Sequence, residues 1–279
     1  MRVQEFAPAK VNLGLAVLGK LENGYHELDS LFVTFDVGDT LTFETRDAGI
    51  ELEIVGLDLP TNTDNLVYRA SEMYLEHLGN PGGVKITLEK VLPIAAGLGG
   101  GSSDAAATLR GMMRLYPSGQ NLFELAQQLG ADVPFLISGG AARVQGFGEI
   151  LTPLEIPEIH LVLANPGVGI TAHEAYLGLN GRYGTALDLE SIITALGHRQ
   201  PPPYRNDLET PVLEAYPIVL QVKQALQNAG LYGVLMSGSG STCFGLTTDA
   251  NIAKEIAKKL QHEQPSWWVR AAKSLALKT

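Results

Sequence analysis

The chain has 279 residues, 45% of them hydrophobic and 18% charged, the composition of a globular protein with length enough for two domains. Its formal net charge of −10 excludes bulk electrostatic attraction to nucleic acid or to an anionic membrane. An anionic small molecule stays open, because backbone N–H groups, one lysine and a metal ion make a locally positive site even in a negative protein.

No run of the sequence approaches the ~20 apolar, uncharged residues that a membrane span needs. Residues 1–10 lack the apolar core and small-residue cleavage site of a signal peptide. The single cysteine, Cys243, excludes an internal disulfide and a cysteine-pair zinc site. A reducing, cytoplasmic setting is expected.

In chain order, residues 3–18 alternate loosely between apolar and polar, with a break at Pro8. Asn23-Gly24 marks a hairpin turn, of the type I′ kind that needs positive φ at both central residues. Strands are predicted over 31–33, 40–44 and 84–88. A helix is predicted over 61–78, with Leu66, Ala70, Met73 and Tyr74 on one face and Gly79 as its stop. A second is predicted over 102–115. A third, over 121–129, has Asn121 as N-cap, Glu124 three residues on, and Gly130 at its end.

Beyond residue 155, where Pro153 and Pro157 flank a junction, the order becomes clearer. Residues 159–164 form an apolar strand. A polar, proline-rich stretch at 198–205 separates weak helices from a better one over 211–229. Strands follow at 233–236 and 242–246, joined by Ser-Gly-Ser-Gly-Ser. Asp249 caps a helix bearing Ile252, Ile256 and Leu260, and 267–271 is the last strand. Strand, helix, strand, strand, helix, strand is the split βαβ, ferredoxin-like order. The domains expected are therefore 1–155 and 156–279. No internal repeat is visible.

The most informative segment is Pro93-Ile94-Ala95-Ala96-Gly97-Leu98-Gly99-Gly100-Gly101-Ser102-Ser103-Asp104, followed by Ala105, Ala106 and Ala107. Four glycines in five positions are costly to order, so a compensating role is expected. Ser102, Ser103 and Asp104 are N-cap candidates for a helix that the alanines favour. A loop ending at a helix N-terminus offers free N–H donors and the positive end of the helix dipole to an anion. A Walker A loop needs a lysine that is missing here, and a dinucleotide fingerprint needs glycine where Ser102 stands. The plainer reading is a flexible loop before a capped helix.

This segment resembles the phosphate-binding motif of the GHMP kinase superfamily. The resemblance extends to both ends of the chain: Ala7-Pro8-Ala9-Lys10-Val11-Asn12-Leu13 is similar to the family's first motif, and Leu235-Met236-Ser237-Gly238-Ser239-Gly240-Ser241-Thr242 to its third. It implies an α+β, two-domain GHMP kinase fold, with an S5-like N-terminal domain and a ferredoxin-like C-terminal domain. It also implies ATP as co-substrate with Mg²⁺, whose ligands it leaves open, and residues 93–104 around the ATP phosphates.

Asn23-Gly24-Tyr25-His26-Glu27-Leu28 resembles the signature of the branch that phosphorylates a hydroxyl of a cytidyl diphosphate sugar alcohol in the non-mevalonate route to isoprenoid precursors. A tyrosine ring stacks on a pyrimidine and a histidine reaches a base edge. The alternative is a hairpin with ordinary strand residues at Tyr25 and His26. Gly130-Ala131-Asp132-Val133-Pro134 resembles the segment bearing that branch's catalytic aspartate, and Arg205-Asn206-Asp207-Leu208 another of its stretches. The resemblance thus implies Asp132 as the base and Lys10 as the cation that orients it, favours its carboxylate and stabilises the transferring group. Without it, Asp132 reads equally as a cap for the next turn. Asn12, Tyr25, His26, Tyr176, Gly238, Ser239 and Gly240 are the implied acceptor-site residues, Tyr176 as a second aromatic against the cytosine. The rivals are another kinase of the superfamily, mevalonate- or homoserine-type, and a non-catalytic nucleotide-binding protein on the same scaffold. The expected partners are small molecules, with neither nucleic acid nor membrane.

Overall fold

The structure, a computed structural model, describes residues 1–277. Its frame is one long antiparallel hairpin made by β1 (Arg2–Lys20) and β2 (His26–Arg46), 19 and 21 residues. Pro8 does not break β1. The strand absorbs it in a register shift between Pro8 and Lys10, since proline cannot donate to the ladder and is tolerated at bulges. The turn is not type I′: of its residues only Gly24 has positive φ, at 87°. Leu21 N–H donates to the Tyr25 carbonyl at 2.7 Å, and the Asn23 carboxamide oxygen accepts from the Tyr25 N–H at 3.0 Å.

The chain continues through β3 (Ile50–Val55), α1 (Leu66–His77), β4 (Gly83–Glu89), α2 (Gly100–Leu115), α3 (Leu122–Leu129), α4 (Val133–Ser138), β5 (Ala141–Gly146) and β6 (Ile150–Leu154). The sheet order is β3-β4-β2-β5-β6, with β1 also paired to β2. The predicted elements do not include β3, α4, β5 or β6. β3 is an edge strand in which Ile50, Leu52 and Ile54 alternate with Glu51 and Glu53 and pack on the core, whereas β6 is an edge strand of mostly exposed residues that pairing with β5 holds. α1 starts at its Asn65 cap, later than the sequence predicts.

The second sheet follows from β7 (His160–Asn165), α5 (Ala172–Leu177), α6 (Leu189–Gly197), α7 (Glu209–Ala215), α8 (Pro217–Asn228), β8 (Tyr232–Met236), β9 (Cys243–Thr247), α9 (Ala250–Glu263) and β10 (Trp268–Lys273). Its order, β10-β7-β9-β8, is antiparallel throughout and ferredoxin-like, as the element order predicts. The single helix predicted over 211–229 is two. Tyr216 precedes Pro217 and is driven out of the helical region, to φ −127° and ψ 78°. Among the described residues no helix is long and apolar enough to cross a membrane.

The two sheets share a core. Leu161 and Leu163 of β7 join Val11, Leu13, Leu31, Val33 and Phe244 in one cluster between the sheets. Val162 and Ala164 face the other way, into a cluster with Val219, Val222 and Leu260 of α8 and α9. A strand covered on both faces has no polar side, which is why β7 reads as a continuous apolar run. On the far face of the first sheet, Phe43 and Ile86 pack on Leu109 and Met112 of α2. Backbone bonds join the sheets further: Leu275 N–H donates to Thr34 C=O at 2.8 Å, and Leu15 N–H to Arg205 C=O at 2.8 Å.

One buried ionic cluster fixes α2 to the sheet. The Lys90 ammonium lies 2.5 Å from an Asp39 oxygen and 2.6 Å from an Asp104 oxygen. The other Asp39 oxygen accepts from the Val91 and Leu92 N–H groups at 2.6 and 2.8 Å. The second Asp104 oxygen is buried without a partner. Burial is the largest influence on Asp104; Lys90 opposes it and Asp39 adds to it, and the carboxyl is pushed up to about 8.

Two outcomes are expected. Leu163→Ala opens a cavity between the sheets and should cost about 2–5 kcal/mol, read from the shift in urea midpoint. Asp104 ionises near 3.8 when unfolded and near 8 when folded. The folded chain therefore keeps a proton that the unfolded chain has released, and this group's stabilisation, complete below about pH 4, is lost as pH rises through about 8. Asp104→Asn should flatten that decline, measured as urea midpoints at about pH 5 and about pH 9.

Candidate active site

Three motifs from distant parts of the sequence meet at one cleft, the first on strand β1 and the second and third on glycine loops. Lys10 N–H donates to Leu98 C=O at 2.9 Å, tying β1 to the glycine loop before α2. The Ser237 hydroxyl donates to Gly97 C=O at 2.9 Å and accepts from Asn12 N–H at 3.2 Å. Thr242 N–H reaches Ala96 C=O at 3.2 Å. A Cβ at Gly97 would stand 2.0 Å from the Ser237 carbonyl oxygen, and Gly97 has φ 75°, so only glycine lets these backbones approach. Asn206 braces the third loop: its amide donates to Met236 C=O at 2.8 Å and Gly238 C=O at 2.7 Å.

The glycine loop does end at a helix N-terminus, but the helix starts earlier than the sequence predicts. Gly99, with φ 66°, is the N-cap, and Ser103 N–H makes the first bond back to its carbonyl at 2.8 Å. The N–H groups of Gly100, Gly101 and Ser102 thus have no intrahelical acceptor and form an anion-binding end. The expected caps are corrected accordingly. Ser102, Ser103 and Asp104 all lie inside the first turns, and no side chain caps α2. The buried Ser103 hydroxyl donates instead to Pro8 C=O at 2.7 Å, and Asp104 pairs with Lys90.

Lys10 is 5% exposed and lines the cleft. Its ammonium is 3.2 Å from Asp132, donates to Asn12 at 2.9 Å, and lies 4.2 Å from the Phe32 ring centroid. Asp132 occupies the N-cap position of α4, yet its side chain makes no capping bond. Its carboxylate is turned to Lys10, and the capping alternative does not describe it. Asn12 passes the order on: its amide donates to Ser30 at 3.0 Å, whose hydroxyl donates to Gly14 C=O at 2.6 Å.

The far end of the cleft is aromatic. His26 and Tyr176 stack, with centroids 4.7 Å apart and planes 16° apart. Tyr25, 60% exposed at the hairpin tip, leans on Phe147 at 5.3 Å. Thr171 and Glu174 form a reciprocal capping box that sets α5, the helix carrying Tyr176. Partial burial, with some repulsion from Lys20, lowers the His26 imidazole below its ordinary value. Burial, with Asp132 nearby, raises the Tyr176 phenol.

The cleft has a volume of about 790 Å³ and is lined by Lys10, Asn12, Tyr25, His26, Asp132, Tyr176, Gly238 and Ser239, by 93–102 of the glycine loop, and by Asp104. Two candidates stand outside its lining. Ser103 is turned to Pro8. Gly240, within the third loop, packs against Met236, whose sulfur a Cβ would meet at 2.6 Å. Sequence reading missed Asn65, Leu66, Lys90, Ala131, Phe147 and His173, which also line it. For Phe147 a signal existed: a large aromatic between two glycines, Gly146 and Gly148, in a turn.

Comparison with known proteins bears on this arrangement. The model of the GHMP kinases N terminal domain matches residues 65–140, and that of the GHMP kinases C terminal region matches residues 185–265. The chain is 51% identical to 4-diphosphocytidyl-2-C-methyl-D-erythritol kinase of Deinococcus radiodurans, over 96% of this chain and 91% of that one. It is 43% identical to the enzyme of the same name from Thermus thermophilus, over 95% of each. A crystal structure of 4-(cytidine 5'-diphospho)-2C-methyl-D-erythritol kinase superposes with a TM-score of 0.89 at 41% identity, covering 98% of this chain and 99% of that one. Homoserine kinase from Cytophaga hutchinsonii shares the fold, with a TM-score of 0.75 at 21% identity over 100% of this chain and 96% of that one. With both halves matched in order, relatives similar over nearly the whole length, and two glycine loops closed with β1 on one cleft, the chain belongs to the GHMP kinases.

Proposed function

We propose that the chain transfers the γ-phosphoryl group of ATP to a hydroxyl of 4-diphosphocytidyl-2-C-methyl-D-erythritol, giving the 2-phosphate and ADP. The observation that carries this reading is the position of the Lys10–Asp132 pair. It stands in one cleft between an anion-binding helix end and an aromatic group fit for a pyrimidine. The full-length likeness to kinases named for that acceptor supports the same substrate.

Phosphoryl transfer needs alignment and charge neutralisation more than covalent chemistry. The N–H groups at the start of α2 receive the ATP phosphates. Asp132 accepts the proton of the attacking hydroxyl. Lys10, fixed by Asn12 and by the Phe32 ring, orients that carboxylate and offers its charge to the group in flight. In this reading Asn12 and Gly238, which line the cleft, contact the acceptor's diphosphate. Tyr25 and Tyr176 stack on the cytosine. A neutral His26, favoured by its lowered pKa, both donates to and accepts from the base edge.

Mg²⁺ accompanies ATP in this reading and neutralises phosphate charge. Among the described residues no three His, Cys, Asp or Glu side chains converge as a metal cage. That donor set suits a Mg²⁺ that keeps phosphate and water oxygens, with Ser102, on the cleft at the first turn of α2, as the residue to hold it. The reading divides the chain at residue 155, between β6 and β7. A cytoplasmic setting suits a chain whose lone cysteine, Cys243, is a buried thiol.

The direct test is ADP release with Mg²⁺, ATP and 4-diphosphocytidyl-2-C-methyl-D-erythritol, against mevalonate, homoserine and galactose as acceptors. Release with the cytidyl acceptor alone is expected; equal release with another acceptor would overturn the substrate. Asp132→Asn should fold as the wild type and lose roughly 10²–10⁴ in turnover. A folded variant at near wild-type rate would remove Asp132 from the role of base. Tyr25→Ala should raise KM for the cytidyl acceptor more than KM for ATP.

A further inference from the structure

The aromatic end of the cleft contains one ring that neither the motifs nor the proposed mechanism uses. Phe147 sits at the tip of the β5–β6 turn, between Gly146 at φ 67° and Gly148 at φ 125°, and is 37% exposed. A large apolar ring at an exposed turn gains little by burial, so its contacts are what distinguish it. They are specific on both sides.

The turn is held rigidly. The Glu149 carboxylate accepts from Phe147 N–H at 2.6 Å, which fixes the backbone from which the ring projects. On one side the turn rests on the catalytic loop, close enough that a Cβ built on Gly148 would stand 3.1 Å from the Ala131 Cβ, one residue before Asp132. On the other side the Phe147 ring meets Tyr25 at 5.3 Å between centroids, tilted 40°. Phe147 and Tyr25 both line the cleft. The β5–β6 turn is therefore the physical link between the base platform and the loop bearing Asp132.

Tyr25 needs such a link. It lies at the tip of the β1–β2 hairpin and is 60% exposed, with Phe147 as its aromatic neighbour. An exposed tyrosine samples several rotamers, and holding one ring against another removes that freedom before a base arrives. The tilted pair leaves the remainder of the Tyr25 ring for stacking.

We infer that Phe147 is a positioning residue for acceptor recognition: it holds the Tyr25 ring in its base-stacking orientation and ties that platform to the Asp132 loop. The inference rests on the base-stacking role proposed above for Tyr25. It gives the β5–β6 turn a part in choosing a cytidyl acceptor, with no part in binding ATP.

The test is calorimetric binding of CDP, the nucleotide half of the acceptor, with ADP as the control. Phe147→Ala should raise the Kd of CDP by about 2- to 12-fold, the range for an aromatic pair, and leave that of ADP unchanged. Phe147→Tyr, which keeps the ring, should bind CDP as the wild type does. The double variant with Tyr25→Ala should bind CDP no more weakly than Tyr25→Ala alone, because Phe147 acts through Tyr25. Unchanged CDP affinity in Phe147→Ala, beside a weakened Tyr25→Ala, would overturn the inference and leave the base platform standing. Losses that multiply in the double variant would overturn it too, as would equal losses for CDP and ADP. Unchanged CDP affinity in Tyr25→Ala would overturn the base platform itself, and the inference with it.

Discussion

A lysine buried to 5% exposure in the middle of a strand is the constraint around which this molecule is arranged. A cation removed from water must find partners or be lost as a charge. Lys10 finds a carboxylate, an amide oxygen and an aromatic face, drawn respectively from the loop before α4, from β1 itself and from β2. Each partner is ordered in turn. Asn12 is held by Ser30 and by Ser237, Ser237 by Gly97, and the third loop by Asn206. The chain of bonds that fixes one ammonium group thus crosses from the first sheet to the second, and the domains cannot shift without loosening it.

The same arrangement explains how a protein of net charge −10 presents a cleft for anions. Lys90 contributes little free charge, because the buried Asp39 carboxylate closes on it. Its work is to hold the start of α2 against β2 and the residues after β4. In the proposed reading the phosphates meet the helix end and Lys10, a short-range field made from backbone dipoles and one side chain. Such a site needs no basic surface, which is why bulk charge is informative about nucleic acid and membranes and silent about nucleotides.

Much of this was legible in the sequence because it is local. The glycine run, the apolar strands of the second sheet and the caps at Asn121 and Asp249 are read from residues within one or two turns of each other. The misreadings are where local rules compete. Ser102, Ser103 and Asp104 look like caps, but Gly99 starts the helix and leaves them inside it. Pro8 looks like a break, but a strand already paired with β2 tolerates it as a bulge. β6 has little apolar pattern of its own because its neighbour β5 holds that edge, whereas β3 has a clear alternation at Ile50, Leu52 and Ile54 that the predicted elements omit.

The sequence by itself determined the strand and helix order of the second sheet, the two glycine loops and the residue types able to carry phosphoryl transfer, since periodicity, turn chemistry and motif spacing are written along the chain. Only the tertiary structure decided that Asp132 faces Lys10 instead of capping α4, that His26 stacks on Tyr176, and that Phe147 meets Tyr25. These pairs are separated by more than a hundred residues, and no local rule specifies them. They follow from the stacking of two sheets over a shared apolar core, which brings one end of each domain to the same cleft.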